Sequence, residues 1–159
     1  MANGYIELKP FSPFAYSAKG LRNAKISANT VALGKMHYWR TSHGIKYIQA
    51  NKDAIERGVK IARIFVQRPD VIDDYEDILN AMFQMGVELY VVSPDTVPSD
   101  LKRDMNIIDE QILVHLELTE DGSIREDIIT IDPIKVAQAK NDFEKLKGFA
   151  VKFSSDIDD

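Results

Sequence analysis

One joint occurs twice in this chain and constrains the fold more than any other feature. At Glu56-Arg57-Gly58-Val59-Lys60-Ile61 a helical pattern stops at a glycine and an apolar strand begins at once. The same happens at Gln84-Met85-Gly86-Val87-Glu88-Leu89. Glycine takes the left-handed conformation that closes a helix, and the valine after it can pack back on the last turn while opening the next strand. Two such joints in succession imply strand, helix, strand, with the strands parallel in one sheet.

The elements follow from periodicity. A first strand is expected over residues 29–36 and a helix from Ile45 to Arg57. Ile61-Ala62-Arg63-Ile64-Phe65-Val66 reads as a strand covered on both faces, because it is nearly continuously apolar. Pro69-Asp70 starts a second helix, with Val71, Tyr75, Ile78, Met82 and Met85 at the helical period. Leu89–Val92 is the third parallel strand. The style then changes. Met105–Asp109 and Gln111–Leu118 read as strands joined tightly at Asp109-Glu110, with Ile112, Val114, Leu116 and Leu118 alternating onto one face. Glu120–Ser123 is a turn, and Ile128–Ile131 returns as a strand. Asp132-Pro133 supplies the cap and first residue of a last helix, whose stripe is Val136, Ala139, Phe143, Leu146, Ala150 and Phe153.

The expected fold class is therefore α/β, a mixed sheet with a parallel βαβαβ part, an antiparallel hairpin and a C-terminal helix. Residues 1–28 are set apart as an N-terminal extension, with Phe11–Tyr16 an extended docked segment and a short helix within Ala18–Ile26; 29–153 form the single domain and 154–159 an acidic tail. Its 159 residues suffice for one core.

Charge is divided along the chain. Residues 1–68 carry 12 Lys+Arg and 3 Asp+Glu, or +9, and residues 69–159 carry 8 and 22, or −14. The simplest meaning is that the halves attract each other, within one chain or across a dimer; nucleic acid held by Lys19, Arg22, Lys25, Lys35, Arg40 and Lys46 is possible but not favoured. The absence of cysteine excludes disulfides, thiolate metal sites and a cysteine nucleophile, and fits a cytoplasmic location. No apolar run approaches the roughly 20 residues of a membrane span, and the first residues lack the pattern of a signal peptide.

Catalytic signatures are missing. No GxSxG, HExxH, Walker-type or GxGxxG pattern occurs. His37 and His43 are six apart with no third ligand in view, so neither a metal nor a cofactor is expected. The most site-like stretch is Met36–Gly44, placed where the first strand ends and the first helix begins. Ligands of open parallel sheets bind outside the carboxyl ends of the strands. There His37, Tyr38 and Trp39 can line a pocket, and Arg40 can pair with a carboxylate or phosphate.

The order of elements, with Ile107-Ile108-Asp109 in the hairpin, resembles one half of a phospholipase D-like domain over roughly residues 30–153. Active members carry His-x-Lys-x4-Asp entering this hairpin. With Asp109 on the motif's Asp, Asp104 stands where Lys belongs and Lys102 where the nucleophilic His belongs. The stretch from Tyr38 through Asn51-Lys52-Asp53-Ala54-Ile55-Glu56-Arg57-Gly58-Val59 to Phe65 is similar to phospholipase D-like domains without the catalytic motif, found in bacterial and archaeal regulators. The resemblance implies a regulatory module without enzymatic activity, a degenerate site holding an anionic ligand or protein partner near Trp39, Arg40, Lys102 and Asp109, and a homodimer. A phosphodiesterase or nuclease with an atypical site is the alternative.

Overall fold

The computed structural model describes residues 5–8, 14–118 and 124–155. The predicted turn at Glu120–Ser123, the residues Phe11–Pro13 and the last four residues of the tail lie outside that set. Among the described residues eight strands form one sheet: β1 (Tyr5–Leu8), β2 (Ser27–Ala32), β3 (Lys60–Val66), β4 (Glu88–Val92), β5 (Asp104–Ile108), β6 (Ile112–Leu118), β7 (Ile124–Thr130) and β8 (Val151–Lys152). Their order across the sheet is β1-β7-β6-β5-β2-β3-β4-β8. The pairs β2–β3 and β3–β4 are parallel and the others antiparallel. The helices are α1 (Ala15–Asn23), α2 (Ser42–Glu56), α3 (Pro69–Asp74), α4 (Glu76–Met85) and α5 (Pro133–Phe149).

Both glycine joints have the anticipated geometry. Gly58 and Gly86 have φ of 93° and 107°. Val59 N–H donates to Ala54 C=O and Val87 N–H to Met82 C=O, each at 3.0 Å. The two helix ends thus satisfy their last carbonyls in the same way. Val59 and Val87 are both buried, so each joint also seats the first side chain of the next strand.

The sheet separates two apolar layers. On one face α1, α2 and α4 bring Leu21, Tyr47, Ala50, Leu79 and Met82 against Ala28, Ile61, Phe65 and Leu89. On the other, Val136, Ala139, Phe143 and Leu146 of α5 cover Val31, Ile64, Met105, Ile107 and Leu113. Asp132 caps α5 by accepting from Ile134 N–H at 3.0 Å, as the Asp-Pro pair predicts.

Several boundaries moved, each for a local reason. The first strand is 27–32 rather than 29–36, because the N–H groups of Leu33 and Gly34 leave the ladder for the Asp104 carboxylate. The following helix starts at Ser42, capped by the Thr41 side chain, and a 3₁₀ turn over Met36–Arg40 precedes it. The helix expected from Pro69 to Met85 breaks at Tyr75, whose φ and ψ are −118° and 19°. The return strand is 124–130, longer than the four residues anticipated. Ile112 is partly exposed whereas Leu113 and Val114 are both buried, so the hairpin is covered on two faces there. Phe153 leaves the stripe of α5: the chain turns at Ala150, forms β8 on the far edge, and sets Phe153 against Phe83 on the opposite face.

Residues set apart as an extension belong to this sheet and core. β1 pairs with β7, and Ala18, Leu21 and Ala24 of the α1 region are buried among α2 side chains. Tyr16 lies inside α1 rather than in an extended segment.

The joints give a direct test. A Cβ on Gly86 meets nothing closer than 3.5 Å and one on Gly58 meets nothing, so only the positive φ opposes a side chain. Gly86→Ala should lower the unfolding free energy by roughly 1–2 kcal/mol, and Gly86→Asn by less. Urea titration of the three proteins checks that order.

Candidate functional site

Arg63 sits in the middle of β3, the second of the three parallel strands, and is 1% exposed. A cation carried into a protein interior loses hydration worth several kcal/mol and needs partners around it. Its Nε donates to Thr30 Oγ1 at 2.8 Å. Nη1 donates to Asn51 Oδ1 at 2.9 Å and to Met82 Sδ at 3.2 Å. Nη2 donates to Tyr47 OH at 3.0 Å. Asn51 is aimed by its own amide, which donates to Tyr47 C=O at 2.7 Å, so its oxygen is left for Arg63. The guanidinium carbon also lies 5.2 Å from the Trp39 ring centre and 5.3 Å from that of Tyr47, within cation–π range.

The aromatic side of this group is continuous. Trp39 packs on Phe14, Tyr47 and Phe65 with ring centres 4.9, 5.4 and 5.6 Å away. Phe14 stacks on Tyr47 at 4.8 Å. Burial pushes the Tyr47 phenol above its ordinary pKa; Arg63 opposes that and the Asp104 charge adds to it.

Beside Arg63 lies a cavity of about 40 Å³ at the carboxyl end of β2, with Thr30, Lys35, Trp39, Tyr47, Asp104 and Asn106 among its walls. Asn106 donates to the Ser17 hydroxyl of α1, which also faces this space. The loop after β2 is held from two sides. Asp104 Oδ2 accepts from Leu33 N–H at 2.8 Å and Gly34 N–H at 3.3 Å, and Gln67 Nε2 donates to Gly34 C=O at 2.8 Å.

The 3₁₀ turn that carries Tyr38 and Trp39 is pressed onto α2 at Gly44. A Cβ there would lie 2.2 Å from Tyr38 O and 2.6 Å from Trp39 C. Thr41 secures the same corner, its hydroxyl donating to Tyr38 C=O at 2.6 Å and accepting from Gly44 N–H at 3.2 Å.

The residues singled out from the sequence are dispersed. Tyr38 and Trp39 do line the cavity. Arg40 does not; it forms a bidentate pair with Asp77 at 2.9 Å, donates to Asp74 C=O and lies over the Tyr75 ring, so it fastens the 3₁₀ turn to the break between α3 and α4. His37 is exposed against Tyr38. Lys102 follows a 3₁₀ turn packed near α5 and is not among the lining residues. Asp109 is at the other end of β5 from Asp104, a strand length of about 16 Å. It has φ of 53°, and its carboxylate accepts from Lys25, Ile26 and Ser27 N–H at 3.0, 2.7 and 3.1 Å. Burial alone would raise its pKa, yet these donors hold it below the ordinary carboxylate range.

Sequence reasoning passed over Arg63, Tyr47, Asn51 and Thr30. One signal was present: a single cation inside a strand otherwise apolar enough to be covered on both faces. Among the described residues no cluster of His, Asp and Glu suited to a metal ion occurs, and no helix is long and apolar enough to cross a membrane.

No protein-family profile and no curated protein matches the sequence. Solved structures match the fold. Nuc from Salmonella typhimurium, a phospholipase D family member, superposes with a TM-score of 0.73 at 14% identity over 95% of this chain and 99% of its own. NucT from Helicobacter pylori gives 0.63 at 15% identity, over 95% and 98%. TrmBL2, an archaeal chromatin protein, gives 0.63 at 16% identity over 94% of this chain and 54% of its own. The fold is thus that of a phospholipase D-like half-domain, and identities this low speak of fold alone.

Two substitutions test the geometry. Gly44→Ala must displace backbone and should cost about 3 kcal/mol or more, with the Trp39 emission shifting to the red as its wall opens. Asp109→Asn should be less stable than wild type by about 1–2 kcal/mol at neutral pH. Because the folded pKa of Asp109 is lowered, that stabilisation is present above the unfolded pKa and lost as pH falls through the folded one. The two melting curves should therefore converge below about pH 4.

Proposed function

We propose that this chain is a non-catalytic binding module that takes a small polar ligand at the carboxyl end of β2, beside Arg63 of β3. The observation behind this reading is the chemistry of the cavity wall. It offers recognition groups, namely the Arg63 guanidinium, the Thr30 and Tyr47 hydroxyls, the Asn106 amide and the Trp39 ring, but no imidazole. Three of the hydroxyls at the cavity already bond within the network, Ser17 with Asn106 and both Thr30 and Tyr47 with Arg63. The Asp104 carboxylate caps two backbone N–H groups, a positioning duty, and stands at the place the phospholipase D-like motif gives to Lys. A phosphodiester reaction through a covalent intermediate needs a nucleophile with a base beside it. Aromatic faces with fixed donors suit reversible binding instead.

A homodimer belongs to the same proposal. Active phospholipase D-like sites join two halves, and Nuc, matched over 99% of its length, is a chain of this size. Light scattering should then give twice the monomer mass.

The functional test combines turnover and binding. Bis(p-nitrophenyl) phosphate should not be hydrolysed above the buffer rate. Trp39, the sole tryptophan, should report saturable binding of a member of a panel of small polar solutes. Thr30→Val should abolish that response and Arg68→Ala should leave it intact, since Arg68 is exposed, pairs with Asp70 and lies outside the cavity. Hydrolysis that disappears in Lys102→Ala would replace this reading with a phosphodiesterase.

A further inference from the structure

The charge and hydrogen-bond state of the cavity point to one class of ligand, and the inference rests on the binding reading above. A guanidinium has five N–H donors. Four from Arg63 reach Thr30, Asn51, Met82 and Tyr47, all neutral. One N–H on Nη2 has no acceptor among the described residues, on a side chain that lines the cavity. No carboxylate of the described residues lies within ion-pair distance of this buried cation, whereas Arg40, Arg68 and Arg103 all have one. The cavity wall as a whole carries Lys35 and Arg63 against Asp104, a net charge of +1.

We infer that the cavity binds a compact oxyanion, a carboxylate or phosphate group, held by Arg63 Nη2 and Lys35 and bounded by the Trp39 and Tyr38 rings. A single negative charge would stand against Arg63, the buried cation that has no carboxylate among the described residues. Size agrees: a cavity of about 40 Å³ has room for about three waters, or for one anionic group of roughly four or five heavy atoms. The rest of a larger ligand would leave past Gly34, Lys35 and Tyr38, which are half-buried at this end of the sheet. Asp104 is the opposing element. Its carboxylate lines the same space and raises the cost of any anion there, which makes the sign of its effect diagnostic.

Arg63→Met removes a core cation and risks the fold, so the test uses Asp104→Asn, which keeps an acceptor for the Leu33 and Gly34 N–H groups, and Lys35→Gln. Trp39 fluorescence and amide chemical shifts are followed while the full chain is titrated with acetate, inorganic phosphate, sulfate, glycerol phosphate and, as a neutral solute, glucose. The expected result is saturable binding of an oxyanion. Affinity should tighten at least about threefold in Asp104→Asn and weaken about as much in Lys35→Gln. Tighter binding of glycerol phosphate than of inorganic phosphate would identify a headgroup rather than the free ion, and tighter binding of acetate a carboxylate. Anion binding insensitive to both substitutions would place the ion elsewhere and overturn the inference. Glucose binding that weakens in Asp104→Asn would also overturn it, while leaving the binding module standing. No response to any solute would remove both.

Discussion

The placement of one cation in the middle of a parallel sheet governs much of this structure. Arg63 occupies β3 with layers of helix on both faces, where an unpartnered charge would be among the most destabilising groups a domain can hold. Its partners come from β2, α2 and α4, the elements that pack around β3. Tyr47 and Asn51 are one helical turn apart on α2, so a single face of that helix delivers a hydroxyl and an amide oxygen to the same guanidinium. The register of α2 over the sheet is fixed by polar bonds as well as by apolar packing, and the bonds are directional where the packing is not.

The aromatic wall depends on the same arrangement. Trp39 comes within cation–π range of Arg63 where the Met36–Arg40 turn approaches α2 at Gly44, a place where no side chain fits. Arg40 then anchors the outer side of the turn to Asp77, whose carboxyl it holds below the usual range. Two arginines, one just before α2 and the other in the strand after it, thus perform different tasks. One is buried and organises the interior; the other is exposed and ties a turn to the helix break at Tyr75.

β5 shows how a strand distributes apparently clustered residues. Lys102, Asp104 and Asp109 are close in sequence, but an extended chain advances about 3.3 Å per residue. Asp104 therefore fixes the loop after β2, while Asp109 fixes the backbone before β2, at opposite ends of one pair of strands. Each carboxylate collects N–H groups that the ladder leaves over, which is why both sides of β2 are tightly bounded.

Most of the fold was legible because its signals are local. The left-handed glycines at Gly58 and Gly86, the Asp132-Pro133 cap and the helical stripe of Val136, Ala139, Phe143 and Leu146 depend on neighbours within a few residues. Tyr38 and Trp39 were legible as cavity walls because strand ends adjoin helix starts in such sheets. Arg63 was not, since its role arises from side chains 12 to 33 residues away that only the packed helices bring together. The break at Tyr75, the crossing of Phe153 to the other face and the inclusion of β1 also depend on distant contacts. The sequence by itself determined the alternation of strands and helices and their parallel order, because periodicity and glycine stereochemistry are properties of the chain. Only the tertiary structure decided which arginine faces the cavity and which faces solvent, because burial is a property of what packs on a residue.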